Sequence, residues 1–206
     1  PQEPPKTVIY YVTDRKQQSQ YINLFREENK NAFVLTHSID QPFISSLEMG
    51  DDNVKFQRID AQVTEDFVEE MSEEEIKEKK DTLTEIFKKA LGKENLDVRV
   101  EKMKNEKIAS MITMSEETRR MQDMMKMYAM NGMGAMGDFG GETLVLNVAN
   151  PLVQYVESHK DGDKTDLFCK QLYDLAMISH KPLEPEEMTE FVMRSNEIME
   201  LLAKEK

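Results

Sequence analysis

Residues 7–13 read TVIYYVT, residues 32–36 read AFVLT and residues 54–59 read VKFQRI. Each run is short and rich in β-branched or aromatic side chains, the composition of a β-strand. Between the first two, Tyr21, Ile22, Leu24 and Phe25 recur at helical spacing. Between the second and third, Phe43, Ile44 and Leu47 do the same behind Asp40, a predicted N-cap, with Pro42 tolerated in the first turn. Strand, helix, strand, helix, strand predicts a small parallel βαβαβ unit with right-handed crossovers. Such sheets bind ligands beyond the carboxyl ends of their strands, which here carry Asp14, His37 and Asp40. The region holds no G-x-G-x-x-G and no P-loop. These three residues are therefore read first as turn and cap residues, and a small-ligand or nucleotide-binding α/β module is the alternative reading.

Working outward, the composition turns acidic and then mixed in charge from Glu65 to Lys80, which predicts a boundary near Glu70 dividing residues 1–70 from 71–206. Ser72 and Glu75 form a capping box for a helix whose Ile76, Leu83, Phe87 and Leu91 make one apolar stripe, ended by Gly92. Leu96, Val98 and Val100 alternate with charged residues, Asn105-Glu106-Lys107 supplies a turn, and Ile108 to Met114 follows, so a β-hairpin is expected. Thr143 to Val148 adds a third strand, and Asn150-Pro151 is an N-cap followed by proline at the first helical position. Two helices close the chain. Phe168, Leu172, Leu175, Ala176 and Ser179 line one face of the first, and Met188, Phe191, Val192, Ser195, Ile198, Met199 and Leu202 line one face of the second. Leu167, Ile178 and Leu201 widen these stripes beyond what one antiparallel partner covers, which predicts packing against a second copy as a two-fold four-helix bundle. The alternative is that both helices fold back on their own sheet.

Met111 to Gly141 is the compositional outlier. It holds nine of the sixteen methionines between Met111 and Met136, and five of the eight glycines between Gly132 and Gly141. Ser115, Glu116 and Glu117 start a helix there, with Gly132 as its predicted stop. Met121, Met124, Met125 and Tyr128 fall within one arc of that helix, whereas Met127 and Met130 lie outside it and Met133 and Met136 sit in the glycine-rich loop. Methionine specifies packing poorly and adapts well, so an adaptable apolar binding face stands beside core packing as a reading of this arc. A thioether Cu(I) site is the third reading, but no Cys or His lies nearby to complete it.

The 27 Lys and Arg against 40 Asp and Glu leave a net charge of −13, which argues against nucleic acid as a partner, since that binding is driven by cationic neutralisation of phosphates. The single cysteine, Cys169, permits no internal disulfide and suits a reducing, cytoplasmic setting as a small buried hydrophobe. No run approaches the length of a membrane span, so no membrane partner is expected. The chain begins PQEPPK, which suggests a piece of something longer.

Several of these segments resemble a known family. TVIYYVTD with the later NAFVLTHSIDQPFISSL resembles the end of the middle domain of the heat shock protein 90 chaperones. IASMITMSEETRRMQDMMKMYA, ETLVLNVANPLVQYV and DLFCKQLYDLAMISH resemble that family's C-terminal dimerisation domain, most closely in its bacterial branch. The resemblance spans essentially the whole chain. It implies a chaperone fragment of a stress-response, protein-folding machine, with ATP and Mg bound in an N-terminal domain of the full-length parent and the catalytic arginine earlier in the middle domain than Pro1. Neither would be present here, so it implies no catalytic residue, cofactor or metal in this stretch. It assigns unfolded or partly folded client proteins to Met121, Met124, Met125 and Tyr128, and homodimerisation to Phe168, Leu172, Leu175, Ala176, Phe191, Val192, Ile198, Met199 and Leu202. The ending LLAKEK lacks the acidic tail that recruits tetratricopeptide co-chaperones, so that partner is not expected. The sequence departs from the family pattern in the loop NGMGAMGDFGG and in having no Trp.

Overall fold

The computed structural model describes residues 7–37, 39–61, 67–130 and 141–204, with the side chains of residues 123 and 126–130 excepted. Among them are seven helices and two three-stranded sheets, in two compact units. One unit runs to residue 63 and takes in residues 114–141; the other comprises residues 64–113 and those from 142 onward. The Met helix groups with the N-terminal strands although β-strands of the other unit flank it in sequence.

In the first unit, β1 (Thr7–Val12), α1 (Ser19–Glu27), β2 (Phe33–Val34), α2 (Asp40–Gly50) and β3 (Val54–Arg58) form a parallel sheet of order β2-β1-β3. Successive side chains of a strand point to opposite faces. Tyr10 meets Phe25 of α1 edge-to-face at 4.9 Å, while Tyr11 packs with Ile44 of α2 and Phe56 of β3. The two helices therefore cover opposite faces of β1. Strand β2 is shorter than residues 32–36 predict, since its register engages only the last two residues of β1 and both Phe33 and Val34 are exposed. Asp40 is not the N-cap of α2. It lies inside the first turn, and its Oδ2 accepts the His37 N–H at 2.8 Å.

The second unit starts with α3 (Glu73–Leu91), whose Ser72 Oγ accepts the Glu75 N–H at 3.3 Å and whose Gly92 closes the helix at φ 64°. Then follow β4 (Asp97–Glu101), β5 (Ser110–Met114), β6 (Glu142–Asn147), α5 (Pro151–Ser158), α6 (Asp163–Ile178) and α7 (Pro185–Lys204); α4 (Glu116–Met130) belongs to the first unit. Asn150 caps α5 through the Leu152 N–H, with Pro151 at its start. Leu83 and Phe87 of α3, Leu144 and Leu146 of β6, Val153 and Val156 of α5 and Cys169 of α6 share one core and are almost wholly buried. Each large side chain among them stabilises the fold by about 1.5–3 kcal/mol. Burial pushes the Cys169 thiol up to about 12, so it is a packing group and not a nucleophile at neutral pH.

The expected β-hairpin is overturned. The sheet order is β4-β6-β5, with β6 between the two strands and parallel to β4. The run TLVLNV is apolar on both faces and belongs in the middle of a sheet, whereas β4 buries only alternate residues. The turn after β4 is held open instead. Asn147, fully buried at the end of β6, accepts the N–H groups of Met103 (2.9 Å) and Ala149 (3.0 Å) and donates to the carbonyls of Asn105 (3.1 Å) and Ile108 (2.7 Å). Asn150 adds a bond to the Glu106 carbonyl at 2.7 Å.

Candidate functional site

Helix α4 begins where Ser115 Oγ accepts the Thr118 N–H at 3.2 Å. Gly141, where the described chain resumes, lies at φ 84°, and a Cβ there would come within 2.7 Å of Thr118 Cγ2, so this position needs glycine. Among the described side chains of α4, Arg119 is the one that is buried. Among the described side chains, then, the helix is fastened by charge. Arg120 Nη1 donates to Glu48 Oε2 at 2.6 Å and Arg120 Nε to Glu116 Oε1 at 2.9 Å, while the Tyr11 hydroxyl donates to Glu116 Oε1 at 2.6 Å. Burial opposes the charge on Glu48, but the Arg120 guanidinium and the Phe56 N–H outweigh it and hold the carboxyl below its ordinary range. Burial and the Glu116 carboxylate together raise Tyr11, which stays a neutral donor.

The adjacent Arg119 joins a buried polar cluster. Asp60 accepts from Arg58 Nε (2.9 Å) and Nη2 (2.8 Å) and from Gln18 Nε2 (2.9 Å), and Arg119 Nη2 lies 3.2 Å away. Gln18 Oε1 in turn accepts the N–H groups of Thr13 and Asp14. Desolvation pushes Asp60 up, yet the two guanidinium groups keep it below the usual carboxylate value. Sequence reading missed both clusters. The i,i+4 pair Glu116–Arg120 was the one signal available along the chain.

With its base fixed, α4 turns Met121 (43% exposed) and Met124 (50% exposed) to solvent, with Met125 half-buried. The side chains of Tyr128, Met127 and Met130 lie outside the described residues, as does the loop at 131–140 with Gly132, Met133 and Met136.

The second apolar surface is at the chain end. Helix α6 buries Cys169, Leu172, Tyr173, Ala176 and Met177 in its own unit, so Leu172 and Ala176 are core residues, while Phe168 is half-buried and Leu175 is 46% exposed. Helix α7 buries nothing over its 20 residues. It is held to α6 by polar contacts: Arg194 Nε donates to Gln171 Oε1 at 3.0 Å, Arg194 pairs with Asp174, and Gln171 Nε2 donates to Ser195 Oγ at 3.1 Å. Val192, Met199 and Leu202 are 50%, 58% and 65% exposed, and Phe191 and Ile198 are half-buried. A groove of about 850 Å³ opens beside the pair, lined by Leu91, Leu167, Tyr173 and Met193 among charged residues.

The strand-end residues do not assemble a reactive centre. Asp14 accepts the N–H groups of Lys16 and Gln17 in its own turn, and those bonds lower its carboxyl; exposed His37 lies 3.7 Å from Asp40 in the next turn. Nearby, a cleft of about 250 Å³ is lined by Val12, Ile22, Phe25, Arg15, Arg26 and Lys30. Among the described residues no cluster of three His, Cys, Asp or Glu side chains could hold a metal ion, and no helix is long and apolar enough to cross a membrane.

Fold and surfaces define a mixed α/β chain of two units, each presenting a helix with an uncovered apolar face. The chain matches the Hsp90 protein family over residues 2–205 and belongs to that family of heat shock chaperones. It is 28% identical over 162 residues to the chaperone protein HtpG of Bacteroides thetaiotaomicron, covering 75% of this chain and 24% of the relative. It is 30% identical over 166 residues to that of Bacteroides fragilis (77% and 24%), and 27% identical over 160 residues to that of Porphyromonas gingivalis (74% and 23%). The chain thus spans about a quarter of the length of the curated relatives it matches.

Proposed function

We propose that this chain is the dimerising and client-contacting part of an ATP-dependent cytoplasmic chaperone, with ATP and Mg handled by other parts of the parent protein and no catalysis of its own. Residues 1–70 would be the end of the middle domain and 71–206 the dimerisation domain. The observation that carries the reading is α7, an amphipathic helix of 20 residues with no buried side chain. Helices α6 and α7 of two copies would form a four-helix bundle through Leu175, Phe191, Val192, Ile198, Met199 and Leu202, with Phe168 at its margin. Leu172 and Ala176 would support it from the core. The dimer would hold two ATPase arms at high effective concentration, so that their closure is intramolecular. Met121, Met124, Met125 and Tyr128 would offer unfolded clients a face that re-packs around many sequences. Nucleic acid and membranes are not expected partners.

Sedimentation tests the dimer. The unaltered chain is expected to be dimeric at micromolar concentration, and Val192→Glu with Met199→Glu to be monomeric. Both sites are exposed, so secondary structure and core should survive, with surface changes within about 0.5 kcal/mol per site in the monomer. A monomeric unaltered chain, or a variant that remains dimeric, contradicts the proposal.

A second reading is favoured by the cationic cleft: a small anionic ligand or nucleotide held by Arg15, Arg26 and Lys30 at the carboxyl ends of the parallel strands. It ranks lower because the cleft is small and no glycine-rich phosphate loop borders it. Titration of the chain with ATP in a calorimeter should show no heat of binding under the chaperone reading.

A further inference from the structure

Strand β3 is one edge of the first sheet, β2 being the other. Its odd-numbered side faces β1, since the Ile59 N–H donates to the Tyr11 carbonyl at 3.0 Å and the Thr7 N–H donates to the Asn53 carbonyl at 2.7 Å. The even-numbered side faces outward and would present an unpaired row of peptide groups. Side chains cover that row. The Phe56 N–H donates to Glu48 Oε1 at 2.6 Å, the Phe56 carbonyl accepts from Arg120 Nη2 at 3.3 Å, and the Arg58 N–H donates to Glu116 Oε2 at 3.0 Å. Along the edge, the order donor, acceptor, donor meets carboxylate, guanidinium, carboxylate. A neighbouring strand would supply the same acceptor, donor, acceptor sequence from its carbonyl and N–H groups.

We infer that Glu48, Glu116 and Arg120 occupy the place of a fourth strand on β3, and that detachment of α4 converts this edge into a strand-addition site for an extended polypeptide segment. Two of the three groups belong to α4, and no described apolar side chain of that helix is buried. Among the described side chains of α4 the buried one is Arg119, so lifting the helix breaks ion pairs to Asp60 and Glu48 and bares peptide groups, which recognise backbone and not side chains. Main-chain pairing of this kind is tolerant of sequence. The extended segment would come from a client, and to that extent the inference rests on the client-binding reading above. The edge itself needs no dimer. A monomeric chain that takes up a strand would overturn the dimer proposal and leave this one standing.

The test uses Arg120→Ala, with Arg120→Gln as a milder second variant. Backbone hydrogen exchange should show the amides of Phe56 and Arg58 protected in the unaltered chain and at least tenfold faster in the variants, with Ile59 unchanged. A blocked ten-residue peptide of alternating threonine and valine should bind the variants at least tenfold more tightly than the unaltered chain. Its analogue N-methylated at every residue, which lacks the donors of both edges, should not bind. Equal binding of the peptide to unaltered and variant chains overturns the inference, as does equal binding of the methylated analogue. Acceleration of Ile59 together with Phe56 and Arg58 also overturns it, since the triad would then hold the strand itself and not cover its edge.

Discussion

Asn147→Leu is expected to destabilise the second unit by about 3–5 kcal/mol, because four hydrogen bonds worth roughly 1 kcal/mol each are lost and their backbone partners are stranded in the interior. Asn147 uses its whole capacity, two donors and two acceptor lone pairs, on the turn between β4 and β5 and on its own strand end. Leucine keeps the branching but carries bulkier methyl groups, so the loss contains some overpacking as well as the lost hydrogen bonds. Urea unfolding should show a lower midpoint with little change in slope. Asn147→Asp separates donors from acceptors. Its carboxylate would face the carbonyls of Asn105 and Ile108, which raises its native pKa above the unfolded value of about 3.9. A carboxyl raised in the native state favours folding only while protonated. The deficit relative to the unaltered chain should thus be full above the raised pKa and shrink as pH falls through it towards about 4. A deficit independent of pH would show that Asn147 acts through shape alone.

Asp60→Ala should cost the first unit about 3–5 kcal/mol, the range for removing one partner of a buried ion pair. It takes from Arg58 a two-pronged acceptor, from Gln18 its carboxylate and from Arg119 its counter-charge. Those arginines anchor α4 and β3, so amides of both elements should lose exchange protection together, while the second unit is unaffected. The native carboxyl is shifted in the opposite direction to that of Asn147→Asp, but here it belongs to the unaltered chain, so the stability gap again closes in acid. The native carboxyl of Asp60 is depressed, so its stabilisation is present above the unfolded value of about 3.9 and is lost as pH falls through the lower native one. Comparing unaltered and variant chains, the stability gap should be widest near neutrality and close in acid. A gap unchanged down to pH 2 would mean that the cluster is held by packing.

Much of this architecture was legible because its causes are local. The strands around Tyr11, Phe33 and Phe56, the Ser72 and Asn150 caps and the Gly92 stop each depend on a few neighbouring residues. The hairpin failed for the converse reason. Asn105-Glu106-Lys107 does make a turn, but which strand fills the neighbouring slot was decided by β6, some forty residues on, whose two apolar faces need the central position. Likewise the periodicity of α6 places Leu172 and Leu175 on one stripe, yet contact with α3 and the sheet buries Leu172 and leaves Leu175 outside. The surface residues of the candidate sites, Met121, Met124, Val192 and Met199, were read correctly as helical and apolar.

The sequence by itself determined the family, the element types, the helix ends at Ser72, Gly92 and Asn150 and the apolar spacing of α4 and α7, because these are set by residue type and spacing within one element. Only the tertiary structure decided that α4 returns to the first unit, that β6 separates β4 from β5, and that Glu48, Glu116 and Arg120 close the edge of β3. Each of these joins groups dozens of residues apart, and a charged residue carries no mark along the chain of the distant backbone it will meet. The Met arc is thus a property of the sequence, and the charged latch beneath it is a property of the fold.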